Sequence, residues 1–206
     1  MPAPSTVPLH FYFDFISPFG YFASLRIDEL AAQHGRTVEW HPMLLGVSVM
    51  KVMGLKPLLD TPLKGPYTRN DVGRYAREHR IAMQREAGLP PMNPLTCGRA
   101  FAWAKVNCPE VAKDFAKGML HAYWAQGIDL SEASSLANIA QSATISGATL
   151  VEAVQAPEAA RLLRDEVDTS LKAGVFGSPT VTVDGEMFWG IDKFAQIQKW
   201  LETGGW

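Results

Sequence analysis

The chain has 206 residues, and its 19 basic and 21 acidic side chains leave a formal net charge of −2. A core of useful size therefore fits into one domain or a domain with an insertion, and no global positive field points to nucleic acid. No apolar run approaches the roughly 20 residues of a membrane helix, and the opening MPAPSTVPLHFYFDF has no basic segment or small-residue cleavage site, so a soluble cytoplasmic protein with no membrane contact is expected.

Residues 9–15, LHFYFDF, predict a buried strand. Ser17 is placed to cap the helix that follows, and Pro18 suits its first position because the missing N–H has no partner there in any case. Ala23, Ile27, Leu30 and Ala31 fall at helical spacing, and Gly35 suits the position just past the end. Residues 38–42 predict a second strand. In such a strand, helix, strand unit the helix begins at the carboxyl end of the first strand, where open α/β sheets tend to hold ligands, and Ser17 stands at that point.

Residues 43–92 are mixed, with Gly54, Pro57, Pro62, Gly65 and Pro66 marking loops before a helix expected to be capped near Asn70 or Asp71. Residues 95–173 are alanine-rich and helical in pattern. Pro109 and Pro157 predict helix starts, and Gly127, Gly147 and Gly174 predict helix ends. Asp184-Gly185 between residues 180–183 and 186–189 is a two-residue hairpin signal. A last helix follows, with Asp192 as its expected cap and Phe194, Ile197 and Leu201 as its apolar stripe.

This order predicts an α/β chain, a thioredoxin-like fold with a large helical domain inserted after the first strand-helix-strand unit. Residues 1–46 and 157–206 form the discontinuous thioredoxin-like domain, and residues 47–156 the helical insertion. Cys97 and Cys108 form no CxxC pair and match neither a disulfide framework nor a zinc motif, so both are expected as ordinary buried thiols. The five histidines show no metal spacing along the chain, and no metal is expected.

Three segments in register, FYFDFISPFGYF, KPLLDTPLKGPYTRNDV and GVFGSPTVTVDGEMFWGIDKF, resemble the 2-hydroxychromene-2-carboxylate isomerases and their relatives, the kappa-class glutathione transferases, within the wider DsbA-like group. The likeness covers nearly the whole chain. Redox members of that group carry CxxC where this chain has Ser17, Pro18, Phe19 and Gly20. Without thiols the place cannot exchange disulfides.

The resemblance implies that Ser17 faces the sulfur of bound glutathione and that Lys64, Asp71, Ser178 and Asp192 contact the tripeptide. Asp192 would meet its amino group, and Ser178-Pro179 would form a loop with a cis proline. Taken without the resemblance, Ser17, Asp71 and Asp192 are helix caps and Lys64 is a loop lysine. The family often has Asn where this chain has Leu55, and a polar residue in place of Ile191, so two hydrogen bonds to glutathione are expected to be missing. Phe19, Trp189 and Trp40 are candidate walls for an aromatic substrate, and Arg69, Arg74, Arg77, Arg80 and Arg85 form a locally basic stretch.

A helix N-terminus favours a thiolate by about 0.3–1 kcal/mol, and a hydroxyl donor to the charged sulfur adds roughly 1.5–3 kcal/mol. Together these lower a thiol pKa from ~8.5 to near neutrality. The expected function is a glutathione-dependent isomerase acting on a small aromatic carboxylate, homodimeric by resemblance. A kappa-like transferase and a non-catalytic glutathione-binding module are the alternatives.

Overall fold

In the computed structural model, which describes residues 6–206, the first strand is β1, Leu9–Phe13. Residues 1–5, which open both the stretch read for a leader and the 1–46 segment, lie outside the described residues. Leu9, Phe11 and Phe13 are fully buried on one face of β1, while His10 and Tyr12 point to the other because side chains alternate along a strand. Strand β2, Val38–Pro42, pairs with β1 in parallel. Strand β3, Thr180–Val183, pairs antiparallel with β1, and β4, Glu186–Trp189, antiparallel with β3. The sheet order is β2-β1-β3-β4. Asp184 and Gly185 make the β3-β4 turn with positive φ at both positions, 52° and 90°, as a type I′ hairpin requires.

The connection from β1 to β2 is two helices where the sequence predicted one. Helix α1, Pro18–Ser24, stops and α2, Ile27–Gln33, begins after a break at Leu25 and Arg26. The Ser24 hydroxyl donates to the Tyr21 carbonyl at 2.7 Å, a local bond that competes with helix continuation. The apolar stripe survives the break, since Ala23, Ile27 and Ala31 remain fully buried.

Beyond β2 come a π-helical turn, Gly46–Val52, a 3-10 turn, Leu58–Asp60, and α3, Lys64–Glu78. Helix α3 starts six or seven residues before the expected cap at Asn70 or Asp71. Gly65 and Pro66 read as loop markers in the sequence, yet in a first turn the N–H groups need no intrahelical acceptor, so proline fits there. Gly65 is required, because a Cβ would lie 2.2 Å from the Leu59 carbonyl oxygen of the preceding turn.

Helices α4, Pro94–Asn107, α5, Pro109–Leu120, α6, Ala137–Ser142, α7, Gly147–Gln155, and α8, Pro157–Lys172, follow. Pro109 and Pro157 open helices as expected. Gly147 opens α7 instead of ending a helix. Ser146 caps it, and the missing side chain lets the helix start rest on Ala137, whose carbonyl oxygen would be 2.9 Å from a Cβ. Helices α4 to α7 share one core with the sheet, Phe101 of α4 packing on Phe13 at 5.6 Å, while Leu163 and Val167 of α8 pack with Ala102 in a separate cluster. The chain closes with α9, Phe194–Thr203, entered through a 3-10 turn, Ile191–Lys193. Among the described residues no helix is long and apolar enough to cross a membrane.

Candidate active site

Chain reversal at the end of β1 builds the centre of the site. The Ser17 hydroxyl oxygen accepts from the Gly20 N–H at 3.0 Å, the capping bond expected of serine before proline. The same hydroxyl donates to the Ser178 carbonyl at 3.0 Å, 161 positions away in sequence. The Ser178-Pro179 peptide bond is cis. The Ser178 hydroxyl in turn accepts from the Asp14 N–H at 3.0 Å. Two loops from opposite ends of the chain are thus joined by reciprocal serine bonds. Ser17 is buried and Ser178 half-buried.

Asp14 organises the same point and was not singled out from the sequence. It is fully buried. Its carbonyl accepts from the Ser17 N–H at 3.0 Å, and its carboxylate accepts from the Ile16 N–H at 3.2 Å and the Leu45 N–H at 2.7 Å. Burial pushes its carboxyl up to about 6, against the pull of those two bonds. The only signal in the sequence was a lone acid inside the aromatic run FYFDF, and an acid is mostly exposed, so its burial is decided by the Ile16 and Leu45 N–H groups. The Trp124 indole N–H also donates into this turn, to the Phe15 carbonyl at 3.0 Å.

Gly20 lets the two loops meet. A Cβ there would lie 2.8 Å from the Ser178 hydroxyl oxygen, 3.1 Å from the Ser17 Cβ and 3.3 Å from the Asp14 carbonyl oxygen. Gly20→Ala is expected to push the Ser178 loop away from Ser17 at a cost of about 1–3 kcal/mol, the usual range for overpacking. Thermal or urea unfolding checks this, and an unchanged midpoint would contradict the close approach.

The other predicted residues surround this centre at different removes. Asp192 lies in the 3-10 turn that packs against α1, two residues after Gly190, whose N–H donates to the Pro179 carbonyl at 2.9 Å. It makes no capping bond to α9, contrary to expectation. Its exposed carboxylate pairs with Lys193 at 3.0 Å, because the intervening turn moves the helix start on to Phe194. Lys64 is exposed at the first position of α3, and Asp71 is half-exposed in the helix interior, paired with Arg74 at 2.9 Å. Seven positions apart, Lys64 and Asp71 share one helix face, which also carries Tyr75. Tyr75 stacks on Phe22 of α1 at 4.9 Å, turning that face toward the Ser17 helix.

Of the aromatic candidates, Trp40 is core, edge-on to Phe11 and Phe13 at 5.0 and 5.3 Å. Trp189 is exposed beside Gly177 and meets Phe176 at 4.9 Å, so an aromatic pair missed as such in the sequence flanks the Ser178 loop. Arg69, Arg77, Arg80 and Arg85 rim a cleft of about 530 Å³ floored by Val72, Ala76 and Ile81. Neither Ser17 nor Ser178 lines it. Leu55 is exposed, whereas Ile191 is buried in the core. Cys97 is buried, and its thiol is pushed far up by burial and by the nearby Asp14 and Asp129 carboxylates. Cys108 is only partly covered.

The profile of the DSBA-like thioredoxin domain matches residues 8–202. The chain belongs to that family. Over 204 residues it is 27% identical to a 2-hydroxychromene-2-carboxylate isomerase of Sphingobium xenophagum, a match spanning 95% of this chain and 98% of that protein. It is 21% identical over 215 residues to glutathione S-transferase kappa 2 of Caenorhabditis elegans, spanning 96% and 93% of the two chains. A solved 2-hydroxychromene-2-carboxylate isomerase shares the fold, with a TM-score of 0.81 at 22% identity over 96% of this chain and 95% of that one. This DSBA-like chain therefore keeps the thioredoxin frame of its family while placing a serine hydroxyl at the head of α1.

Proposed function

We propose that this protein is a glutathione-dependent isomerase that converts 2-hydroxychromene-2-carboxylate-type compounds to trans-o-hydroxybenzylidenepyruvate-type products. The observation that carries the reading is the Ser17 hydroxyl, fastened to the Ser178-cis-Pro179 loop at the position where redox relatives carry a cysteine. The full-length match to an isomerase supports the substrate class, and the match to a kappa-class transferase supports glutathione.

The residues present suit a thiol tripeptide. The Ser17 O–H can turn from the Ser178 carbonyl to a ligand sulfur, since a hydroxyl hydrogen rotates freely about its C–O bond. The Phe19 N–H, second in α1, has no intrahelical acceptor. Helix α1 is only seven residues long, so its dipole is weak and the hydroxyl carries most of the thiolate stabilisation. Lys64 and Asp71 are separated by about 10 Å along the helix axis at 1.5 Å per residue, comparable to an extended tripeptide. Lys64 would hold a glutathione carboxylate, and the half-exposed carboxylate of Asp71 and the exposed one of Asp192 would hold its ammonium end. Ser178 offers its backbone to the peptide, releasing Ser17 as it does so.

Held at the Ser17 hydroxyl and the Phe19 N–H, glutathione would supply a thiolate nucleophile for reversible addition to the conjugated chain of an opened chromene, the chemistry by which a double bond is freed to rotate. The protein's task is to hold that sulfur ionised and in place. The Trp189–Phe176 pair beside the Ser178 loop is positioned to shelter an aromatic ring. Incubation with hydroxychromene carboxylate and glutathione far below stoichiometry tests the reading. Many turnovers per glutathione are expected. Conjugation of each glutathione to product would make the protein a kappa-like transferase, and saturable glutathione binding with no turnover would make it a binding module.

The same site predicts a gain of affinity. Leu55 is exposed, so Leu55→Asn has no buried-polar cost. It is expected to tighten glutathione binding by about three- to tenfold through one added hydrogen bond of roughly 0.5–1.5 kcal/mol. Calorimetry showing no gain would place Leu55 away from the ligand.

A further inference from the structure

The sheet face opposite Phe11 and Phe13 carries a second group of chemically competent side chains. In the parallel β1-β2 register His10 stands beside Glu39, and Tyr12 beside His41. Alternation along both strands therefore puts His10, Glu39 and His41 on one face. His10 Nδ1 is 3.1 Å from His41 Nε2, and the same Glu39 oxygen, Oε2, lies 3.4 Å from His10 Nδ1 and 3.8 Å from His41 Nε2. Two donors on a tetrahedral zinc ion with bonds of 2.0–2.1 Å stand about 3.3 Å apart. The three edges straddle that length, and a point about 2.0 Å from all three atoms exists, matching the bond length itself.

We propose that His10, Glu39 and His41 form a binding site for a divalent transition-metal ion of the zinc class, with its remaining coordination open to solvent. Two imidazoles and one carboxylate suit such an ion and disfavour magnesium and calcium, which prefer all-oxygen sets. A second shell is already built. His41 Nδ1 lies 3.0 Å from Glu166 Oε2, and the other Glu166 oxygen is held by Lys105. A carboxylate on the far nitrogen places the proton there and directs the Nε2 lone pair at the site, the usual support of a metal-bound histidine. Lys105 Nζ is 3.5 Å from His41 Nδ1, the ring nitrogen that does not face the proposed ion, and its charge is paired with Glu166. The Tyr12 ring stacks on His41 at 4.9 Å and fixes its plane. Glu39 and His10 are 56% and 36% exposed at the side chain, against 14% for His41, so an ion can enter from solvent to a histidine already held in place.

Spacing along the chain hid this site, because β1 and β2 meet only through sheet pairing, with α1 and α2 between them. It is distinct from Ser17, seven positions later at the far end of β1 and buried. The test uses the untagged, chelator-stripped full chain, titrated with Zn²⁺ by calorimetry and with Co²⁺ by visible absorption. One saturable equivalent is expected, with the intense Co²⁺ bands of four- or five-coordination. His10→Gln and His41→Gln are each expected to weaken Zn²⁺ by about a hundredfold or more, and Glu166→Gln by roughly 10–100-fold although it touches no metal. If His41→Gln unfolds the protein, the half-exposed His10→Gln and Glu39→Gln carry the result, with circular dichroism confirming their fold. Binding weaker than about 100 µM, binding that survives His10→Gln, or binding lost instead in Cys108→Ser would overturn the proposal.

Discussion

Ser17→Ala should raise the pKa of bound glutathione's thiol by about one to two units, the equivalent of the roughly 1.5–3 kcal/mol of a hydrogen bond to a charged group. Thiolate absorbance against pH reads the shift. Turnover near neutrality should fall by about 10–100-fold in step with the lost thiolate, and higher pH should recover part of it. Recovery is the diagnostic, because it separates loss of a thiolate donor from general damage. Some damage is expected as well. The hydroxyl also caps α1 and satisfies the Ser178 carbonyl, so Ser17→Ala should cost about 2 kcal/mol of stability, combining a lost cap with a carbonyl left unpaired. An unchanged thiol pKa and rate, accompanied by that loss of stability, would leave Ser17 with a capping role alone. Ser17→Cys is a second arm: with glutathione disulfide its thiolate should form a mixed disulfide, release one glutathione thiolate and block the site.

Asp14→Asn should remove a component of the pH dependence of folding worth about 3 kcal/mol, the value of moving a carboxyl from its ordinary 3.8 to about 6. The folded state holds the Asp14 proton more tightly than the unfolded chain does. This group's contribution to stability is therefore fully present below about pH 4 and is lost as pH rises through about 6. Urea unfolding of both proteins from pH 4 to 7 gives a difference curve in which other titrating groups cancel, and that curve should fall across this window and flatten above it. The net change at pH 7 should stay within about 2 kcal/mol, because removal of the buried charge offsets the loss of one of two N–H bonds at Ile16 and Leu45. Parallel curves for the two proteins would show that Asp14 titrates normally. The price of an ionised acid in an aromatic core is tolerable because its two carboxylate bonds and two backbone bonds together define where β1 ends, where α1 begins and where the Ser178 loop rests.

By itself the sequence determined those features that local chemistry governs. The apolar run of residues 9–15 made β1, serine before proline made the α1 cap, Asp184-Gly185 made the hairpin turn, and prolines 109 and 157 opened helices, since each depends on only a few adjacent residues. Local signals misled where tertiary partners decided the outcome. Gly65 and Pro66 read as loop until the Leu59 carbonyl, packed against Gly65, showed why a helix starts there. Asp192 read as a cap until the 3-10 turn displaced it from α9. Trp40 read as a possible pocket wall until Phe11 and Phe13 enclosed it. Ser17 was legible as a hydroxyl at the right junction, but its bond to Ser178 joins residues 161 positions apart, and the His10, Glu39 and His41 group exists only across paired strands. Such contacts follow from strand register and loop packing, which the whole core sets at once, and no window of neighbouring residues contains them.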